Sequence, residues 1–331
     1  MIHLLGGGGD TPFVKPNVSY CVQENEVHYN PLPHDYSKDY LTFLALEDGT
    51  FTFTSKINNA ISYSIDNGDS WTEGNSVELT KGNKVLWRGK MTPTSSDGVG
   101  TFSSTVRFEA QGNIMSLLFG ADFQGKTGLT GKSYAFYNLF NSNSNLVNAQ
   151  NLSLSATTLA EQCYQSMFDG CTNLVNAPSV LPATTLANYC YYNMFNGCTG
   201  LTTAPELPAT KLAGWCYQSM FSGCTSLVNA PTLPATTLAY SCYESMFSGC
   251  TSLVNAPTLP ATTLADWCYG DMFSGCSSLN YIKCLATDIS ATGCTSNWVT
   301  NVASTGTFVK AASMTSWTTG TSGIPTGWTV Q

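Results

Sequence analysis

The sequence predicts an α+β, mainly β protein in which an N-terminal β-sandwich is followed by a capped solenoid of 26-residue repeats. Two observations carry this prediction. A Met-Phe pair recurs at spacings of 27, 26, 26 and 26 residues, at 167–168, 194–195, 220–221, 246–247 and 272–273. Before residue 120, apolar and polar residues alternate with a period of two, as in half-buried strands. A fixed period of about 20–50 residues indicates stacked units, because one unit cannot bury its apolar face alone.

Five copies in one chain show which positions the stack requires. Each copy keeps two cysteines eight residues apart, with the Met-Phe pair between them and a glycine before the second cysteine. In the last full copy, apolar residues from 264 to 273 lie three or four apart and Gly275 follows, which predicts a short helix. The segment before it, 253–264, holds two prolines and predicts short extended pieces. Each unit is therefore predicted to be a strand-like arc plus a short helix.

The run from Met272 to Leu279, MFSGCSSL, resembles the A-F-x-x-C-x-x-L core of BspA-like leucine-rich repeats, with Met in place of Ala. The resemblance extends from about Ser133 to the C terminus and implies a leucine-rich-repeat solenoid without catalytic residues. BspA-like proteins are surface adhesins of gut and oral Bacteroidales, and similar chains occur in phages of those hosts. The resemblance therefore implies a binding protein.

Composition narrows the classes of partner. The chain has 331 residues, 10% of them charged, and a formal net charge of −8, so it offers no basic face to nucleic acid. No apolar run approaches about 18 residues, so we expect no membrane insertion. The start, MIHLLGGGGD, lacks the basic region and long apolar run of a signal peptide. We therefore expect either a component of a virus particle or a bacterial adhesin whose export signal has been removed.

The segments before the repeats are predicted in order. Residues 1–39, rich in Gly and Pro, are expected to form an extended N-terminal arm that docks onto other virion proteins, with exposed loop histidines at His3, His28 and His34. Residues 40–120 predict an Ig-like β-sandwich of six to eight strands. The predicted strands include 40–46, 50–54, 60–65, 77–79, 85–87, 101–108 and 114–119.

The repeat region has predicted caps. Residues 121–145 open the solenoid with an atypical first unit, in which Leu139-Phe140 replaces Met-Phe. The repeats themselves span 146–279. Residues 280–331 hold a degenerate repeat and a C-terminal cap, since Cys294 and Trp298 lie 26 residues after Cys268 and Met272.

The sandwich also carries an Asp box, the pattern Ser64-x-Asp66-x-Gly68-x-x-Trp71, which recurs in sialidases. We interpret it as a turn in which Asp66 accepts bonds from turn amides and Gly68 supplies a positive φ. A sialidase-like site would need three arginines, and the chain has only Arg88 and Arg107. A glycan-active or sialic-acid-binding module is an alternative that rests on this box alone.

The thirteen cysteines do not predict a metal site. Zinc sites use closely spaced pairs and four ligands, and no histidine follows His34. Because the repeated cysteines stand among Leu, Met and Phe, we favour two ladders of buried free thiols, with disulfides as the alternative.

The variable positions before each first cysteine carry large aromatic residues, which are our candidate ligand-binding residues. Tyr189, Trp215 and Trp267 share one place, and Tyr240 stands one residue earlier in its copy. Such rings would recur about every 5 Å in a stack with strand spacing. An exposed aromatic row suits sugar rings or a protein hot spot. The alternative is that the rings lie flat and cover the flank of the solenoid.

We predict no enzymatic activity and no cofactor, because the folded domains lack histidine and their carboxylates are scattered. The expected function is a virion-associated structural or attachment protein, such as a phage fibre or head decoration, that binds a host surface protein or glycan. The alternative is a BspA-like adhesin on the bacterial cell surface. The sequence leaves homo-oligomerisation open.

Overall fold

The structure, a computed structural model, describes residues 34–55, 60–93 and 97–331 in full, and before them the backbone of two strands. The chain divides into two compact units, Met1–Asp35 and Tyr36–Gln331. In the first unit, β1 (Val18–Gln23) pairs antiparallel with β2 (Glu26–Pro31). This pairing differs from the extended arm expected, because the alternating VSYCVQ run favours a strand and Pro31 stands at the end of β2. His3 and the docking role of the arm fall outside the described residues.

The second unit is mainly β, in agreement with the mainly β composition predicted. A 3₁₀ helix at Tyr36–Lys38 opens it. Its strands are β3 (Leu41–Ala45), β4 (Gly49–Thr54), β5 (Ile61–Ser64), β6 (Thr72–Glu73), β7 (Ser76–Leu79), β8 (Lys84–Gly89), β9 (Thr101–Ser104), β10 (Phe108–Asn113), β11 (Leu146–Asn148), β12 (Leu152–Ser153), β13 (Tyr281–Cys284), β14 (Thr307–Lys310) and β15 (Thr329–Val330). Helix α1 (Ser116–Phe119) and a 3₁₀ helix at Gly120–Asp122 follow β10. Among the described residues, no helix is long and apolar enough to cross a membrane.

Two sheets meet around an aromatic core in residues 40–113. One has the strand order β11-β10-β3-β8-β5-β6, with β12 also on β10, and the other has the order β7-β4-β9. The ring of Phe43 on β3 lies 5.8 Å from Phe51 and 4.8 Å from Phe102 of the facing sheet. Trp87 on β8 is fully buried beside them. These rings hold the two sheets face to face.

The strand predicted at 114–119 is wrong, because most of this run forms α1. Ile114, Met115 and Leu117 are all fully buried, so no face of the run alternates between core and solvent. The buried Ser116 hydroxyl accepts a bond from the Leu41 amide and donates one to the Trp87 carbonyl. These bonds fix a helical turn against the sheet.

The short helix predicted in each repeat is also wrong, and a chain of tight turns stands in its place. In the last full copy, the amides of 268, 270, 272, 274 and 276 each bond the carbonyl three residues earlier. The amides of 267, 269, 271, 273 and 275 instead bond carbonyls of the next repeat, about 25 residues on. Every fourth residue has a positive φ, namely Trp267, Asp271 and Gly275. We call this segment the turn coil.

The burial pattern explains why the sequence indicated a helix. In the turn coil, the apolar pairs Cys268-Tyr269 and Met272-Phe273 are fully buried and recur with a period of four. A period of four lies close to the helical period of about 3.6, and two inward pairs within ten residues are too few to distinguish the two periods. Long-range hydrogen bonds decide that the segment is not a helix, because half of its amides donate to carbonyls of the neighbouring repeat.

Successive repeats stack in register through two aromatic columns and a strand ladder. One column runs Phe136, Tyr164, Tyr191, Tyr217, Tyr243 and Tyr269 at 5.4–6.1 Å between ring centroids. The other runs Phe140, Phe168, Phe195, Phe221, Phe247 and Phe273 at 5.1–5.8 Å. Parallel bridges link Asn148, Asn176, Thr203, Asn229, Asn255 and Tyr281 in turn. The core of the stack is therefore continuous from repeat to repeat.

Both ends of the stack are closed by aromatic residues. Phe140 packs between the ring of Phe102 on β9 and the ring of Phe168 in the first repeat, and β11 pairs with β10. At the other end, Trp298 contacts both Tyr269 and Phe273, and Trp317 stacks on it at 5.6 Å. One tryptophan thus closes two columns.

All twelve described cysteines are free and buried, as the thiol ladders required. Each second cysteine of a repeat donates to a Phe carbonyl of the preceding repeat, as from Cys224 Sγ to Phe195 O at 3.1 Å. Burial raises the pKa of Cys190 and Cys242 from 9.0 to about 12, and it raises the pKa of Tyr191 well above its usual value. The native interior therefore holds thiols and phenols in their neutral forms.

We expect the protein to unfold cooperatively in alkali. Groups whose pKa is raised in the folded state stabilise it fully below the unfolded pKa, near 9 for the thiols, and this contribution is lost as pH rises towards about 12. Each such thiol contributes a slope of about 1.4 kcal/mol per pH unit in that window. Urea unfolding between neutral and alkaline pH measures the slope, and tyrosinate absorbance should appear together with unfolding. Ionisation of the column tyrosines in a still-folded protein would contradict the prediction.

Candidate binding surface of the repeat stack

The turn coil places three of the four candidate aromatic residues at left-handed positions. Tyr189, Trp215 and Trp267 have φ values of 56°, 54° and 59°. The cysteine after each is fully buried, so the chain turns inward directly after the ring. Gln162 and Ser241 hold the same place in other repeats, with φ values of 56° and 49°. The stack therefore fixes this backbone conformation whether or not a ring is present.

A bulky side chain at such a position is unfavourable by itself. Left-handed backbone costs roughly 1–2 kcal/mol for a residue with a large Cβ substituent, and Asn tolerates it better. The Tyr189 and Trp215 rings stack at 4.7 Å with an interplanar angle of 7°. Such a pair contributes about 0.5–1.5 kcal/mol. Strain and stacking nearly cancel, so the rings add little net stability.

The structure brings three of the four candidate residues together. Trp215 contacts Tyr189 on one side and Tyr240 on the other, the latter at 4.9 Å and 54°. Tyr192 also belongs here, since it meets Tyr189 edge to face at 5.9 Å. We call Tyr189, Tyr192, Trp215 and Tyr240 the aromatic cluster. Sequence analysis missed Tyr192, although it occupies the next variable pair of the same repeat.

Trp267 lies apart from the aromatic cluster and covers backbone. A Cβ on Gly293 would lie 2.7 Å from the Trp267 ring, so this ring rests directly on the glycine. A Cβ on Gly270 would lie 3.3 Å from it as well. Among the described residues, Trp267 makes no ring contact with the cluster. Its geometry therefore corresponds to the alternative in which a ring covers the flank.

The cluster presents ring edges and hydroxyl groups more than open faces. The Tyr189 ring stacks on Trp215, and the Tyr240 ring lies against Trp215 at a tilt of 54° and is 46% exposed. Tyr189, Tyr192 and Trp215 are half-buried. Tyr240 is therefore the ring in the cluster best placed to stack on a ligand, and the other three offer edges and polar atoms.

The surroundings of the cluster are acidic. Burial raises the pKa of Tyr189, and the nearby Tyr192, Glu161 and Tyr240 raise it further. Between residues 146 and 279 the sequence has one cation, Lys211, and six acids, which are Glu161, Asp169, Glu206, Glu244, Asp266 and Asp271. This surface disfavours polyanions and is suited to neutral or cationic ligands.

A second surface, missed by sequence analysis, is lined by proline. A shallow groove of about 330 Å³ lies between two repeats against Pro231, Pro234, Pro257 and Pro260. A similar groove one repeat earlier uses Pro205 and Pro208 in place of Pro257 and Pro260. The sequence signal for this surface is the recurring pair of prolines three residues apart, which by itself predicts only short extended pieces.

The described residues contain no group of three or more His, Cys, Asp or Glu side chains that could hold a metal ion. The thiols nearest the cluster, Cys190 and Cys216, are fully buried and have raised pKa values because of that burial. Their thiolate forms are therefore disfavoured.

Comparisons with known proteins give one structural likeness. No protein-family model and no curated protein matches the chain. A solved structure of a leucine-rich-repeat protein of T. pallidum is 19% identical, with 65% of this chain and 81% of that chain covered and a TM-score of 0.32.

We expect Trp215→Asn to leave the free energy of unfolding within about 1 kcal/mol of wild type, because the lost stacking is offset by the left-handed tolerance of Asn. Phe221→Ala, in a fully buried column, should instead cost about 3–5 kcal/mol. Urea unfolding of both variants measures the difference. Equal losses would show that the Trp215 ring supports the core.

Proposed function

We propose that the chain is a non-enzymatic attachment protein whose aromatic cluster binds a neutral glycan on a cell surface. The supporting observation is the placement of Tyr189 and Trp215 at left-handed positions that Gln162 and Ser241 fill elsewhere. The stack imposes the left-handed backbone at this place in every full copy, so the feature that marks the site is the bulky ring itself, which is unfavourable there. Here the stack does not require the rings, so a ligand is the simplest reason for them.

The class of ligand follows from the charge and the exposed groups. The acidic surroundings disfavour anionic polymers, and the tilted Tyr240 ring can stack on a sugar ring. Tyr hydroxyls and the indole N–H of Trp215 offer hydrogen bonds at the ring edges. A protein hot spot of similar polarity is the other partner compatible with this chemistry.

We further propose that the attachment protein acts on a phage virion, with the N-terminal arm joining it to other virion proteins. This setting is supported by the resemblance of the repeats to BspA-like proteins and to similar phage chains. The same resemblance supports a bacterial cell-surface adhesin as the second candidate. Both settings need the same kind of outward-facing binding surface.

Binding to neutral polysaccharide arrays tests the ligand class. We expect the triple variant Tyr189→Ser, Trp215→Asn and Tyr240→Ser to lose binding by at least about tenfold, because each ring contact contributes of the order of 1 kcal/mol. Trp267→Ser is the matched control, a ring removed from the same place in another repeat, and should bind as wild type. Binding to a neutral glycan should also be insensitive to added salt.

If the triple variant binds the same glycans on the array as tightly as wild type does, the aromatic cluster is not the binding site. Loss of binding in Trp267→Ser to the same degree would show a general effect on the stack. Thermal unfolding of all variants separates loss of contact from loss of fold.

Mass spectrometry of purified particles and of outer-membrane fractions from cultures carrying the gene tests the setting. The phage proposal expects peptides from both the arm and the repeats in virions at a fixed copy number. Peptides confined to the outer membrane would support the adhesin and contradict the virion assignment.

A further inference from the structure

A separate pocket lies on the outer face of the sheet that contains β5, β6 and β8. It has a volume of about 400 Å³ and is lined by Ser62, Glu73, Arg88, Lys90 and the backbone around Gly120. In the sheet, Ser62 pairs with Glu73 of β6 and with Arg88 of β8. The three side chains therefore form a row on the face opposite the buried Trp87.

Arg88 is held in place by an aromatic ring. Its guanidinium carbon lies 3.9 Å from the centroid of Trp71. Trp71 is fixed in turn, since its indole Nε1 donates to Gly68 O at 3.1 Å and its ring packs on Tyr40 at 4.8 Å. Stacking occupies one face of the guanidinium and leaves its N–H edges available. The Asp-box turn therefore holds the Trp71 ring in the position where the Arg88 guanidinium stacks on it.

Arg88 makes no ion pair with any carboxylate of the described residues. The described ion pair of the sandwich joins Arg107 to Glu47 at 2.6 Å, elsewhere on the molecule. Glu73 lies two strands from Arg88, with Ser62 between them, and beyond ion-pair distance. A half-buried guanidinium without a carboxylate retains its capacity for a bidentate bond to an incoming oxyanion.

Lys90 supplies a second positive charge to the same pocket. Its stem runs along Gly120, where a Cβ would lie 3.4 Å from Cγ and 3.5 Å from Cε of the lysine. Gly120 has a φ of 57°, a conformation that favours glycine. The absence of a side chain there leaves room for the lysine stem beside the pocket.

We propose that this pocket binds a single small oxyanion, a carboxylate or a phosphate, on a ligand of about monosaccharide size. Arg88 provides a bidentate N–H fork and Lys90 a point charge, while the Ser62 hydroxyl stands between them and Glu73. Glu73 at the far side repels a second anionic group, so the pocket selects a ligand with one anionic group. The site is independent of the aromatic cluster.

Isothermal titration of the full chain tests the site with three probes: D-glucuronate, neutral D-glucose as its matched control, and inorganic phosphate. We expect saturable binding of glucuronate, phosphate or both, no binding of glucose, and weaker binding in added salt. If only glucuronate binds, the anionic group of the natural ligand is a carboxylate. If only phosphate binds, it is a phosphate. Absence of binding by both anions, or equal binding of glucose and glucuronate, overturns the proposal.

Variants locate the binding. Arg88→Gln should weaken it by at least about tenfold, and Arg88→Lys by less, because lysine keeps the charge without the fork. Lys84→Gln, an exposed lysine on the same strand, is the matched control and should bind as wild type. Lys90→Gln, also exposed, should weaken binding without affecting the fold. Wild-type affinity in both folded Arg88→Gln and folded Lys90→Gln would refute the site.

Discussion

The repeat stack depends on the way its backbone amides are shared between repeats. In the turn coil, alternate amides close a turn within the repeat and the others bond the next repeat. The buried turn coil therefore satisfies its amides without a helix or a long strand. The sharing works only if each repeat has the same path as its neighbours, which fixes the near-constant repeat length. The ring columns, thiol bonds and left-handed residues all follow from that common path.

The same constraint separates what the sequence could predict from what it could not. The repeat length, the stacking and the buried positions were readable, because Leu, Cys and Met-Phe return at fixed places. The turn coil could not be predicted, because its period of four resembles that of a helix. The hydrogen bonds that decide its structure connect residues about 25 apart, such as the bond from the Tyr243 amide to the Cys268 carbonyl. Likewise, the sequence predicts a strand where α1 lies, because the bonds that fix Ser116 involve Leu41 and Trp87, which are distant in sequence.

The candidate site shows a similar division. The sequence identified Tyr189, Trp215 and Tyr240 as variable aromatic positions, but ring contacts depend on side-chain direction across repeats. Trp267 has the same place in its repeat as Trp215 and yet covers Gly293, because its neighbour there has no side chain. Position within a repeat predicts exposure of a residue, whereas the neighbouring repeat decides what the exposed residue touches.

This division also explains where function can be added to such a chain. Cysteine, tyrosine, methionine and phenylalanine at the inward positions are fully buried in every full copy, so a change there disturbs a column that runs through the whole stack. The left-handed positions accept Gln, Tyr, Trp and Ser with nearly the same φ, from 49° to 59°. The stack sets the backbone conformation at those positions, and the cost of a side chain there depends on how well that residue type tolerates it, with Asn tolerating it better than a bulky ring. A ligand can therefore select side chains at the surface of one repeat while the interior of the stack stays unchanged.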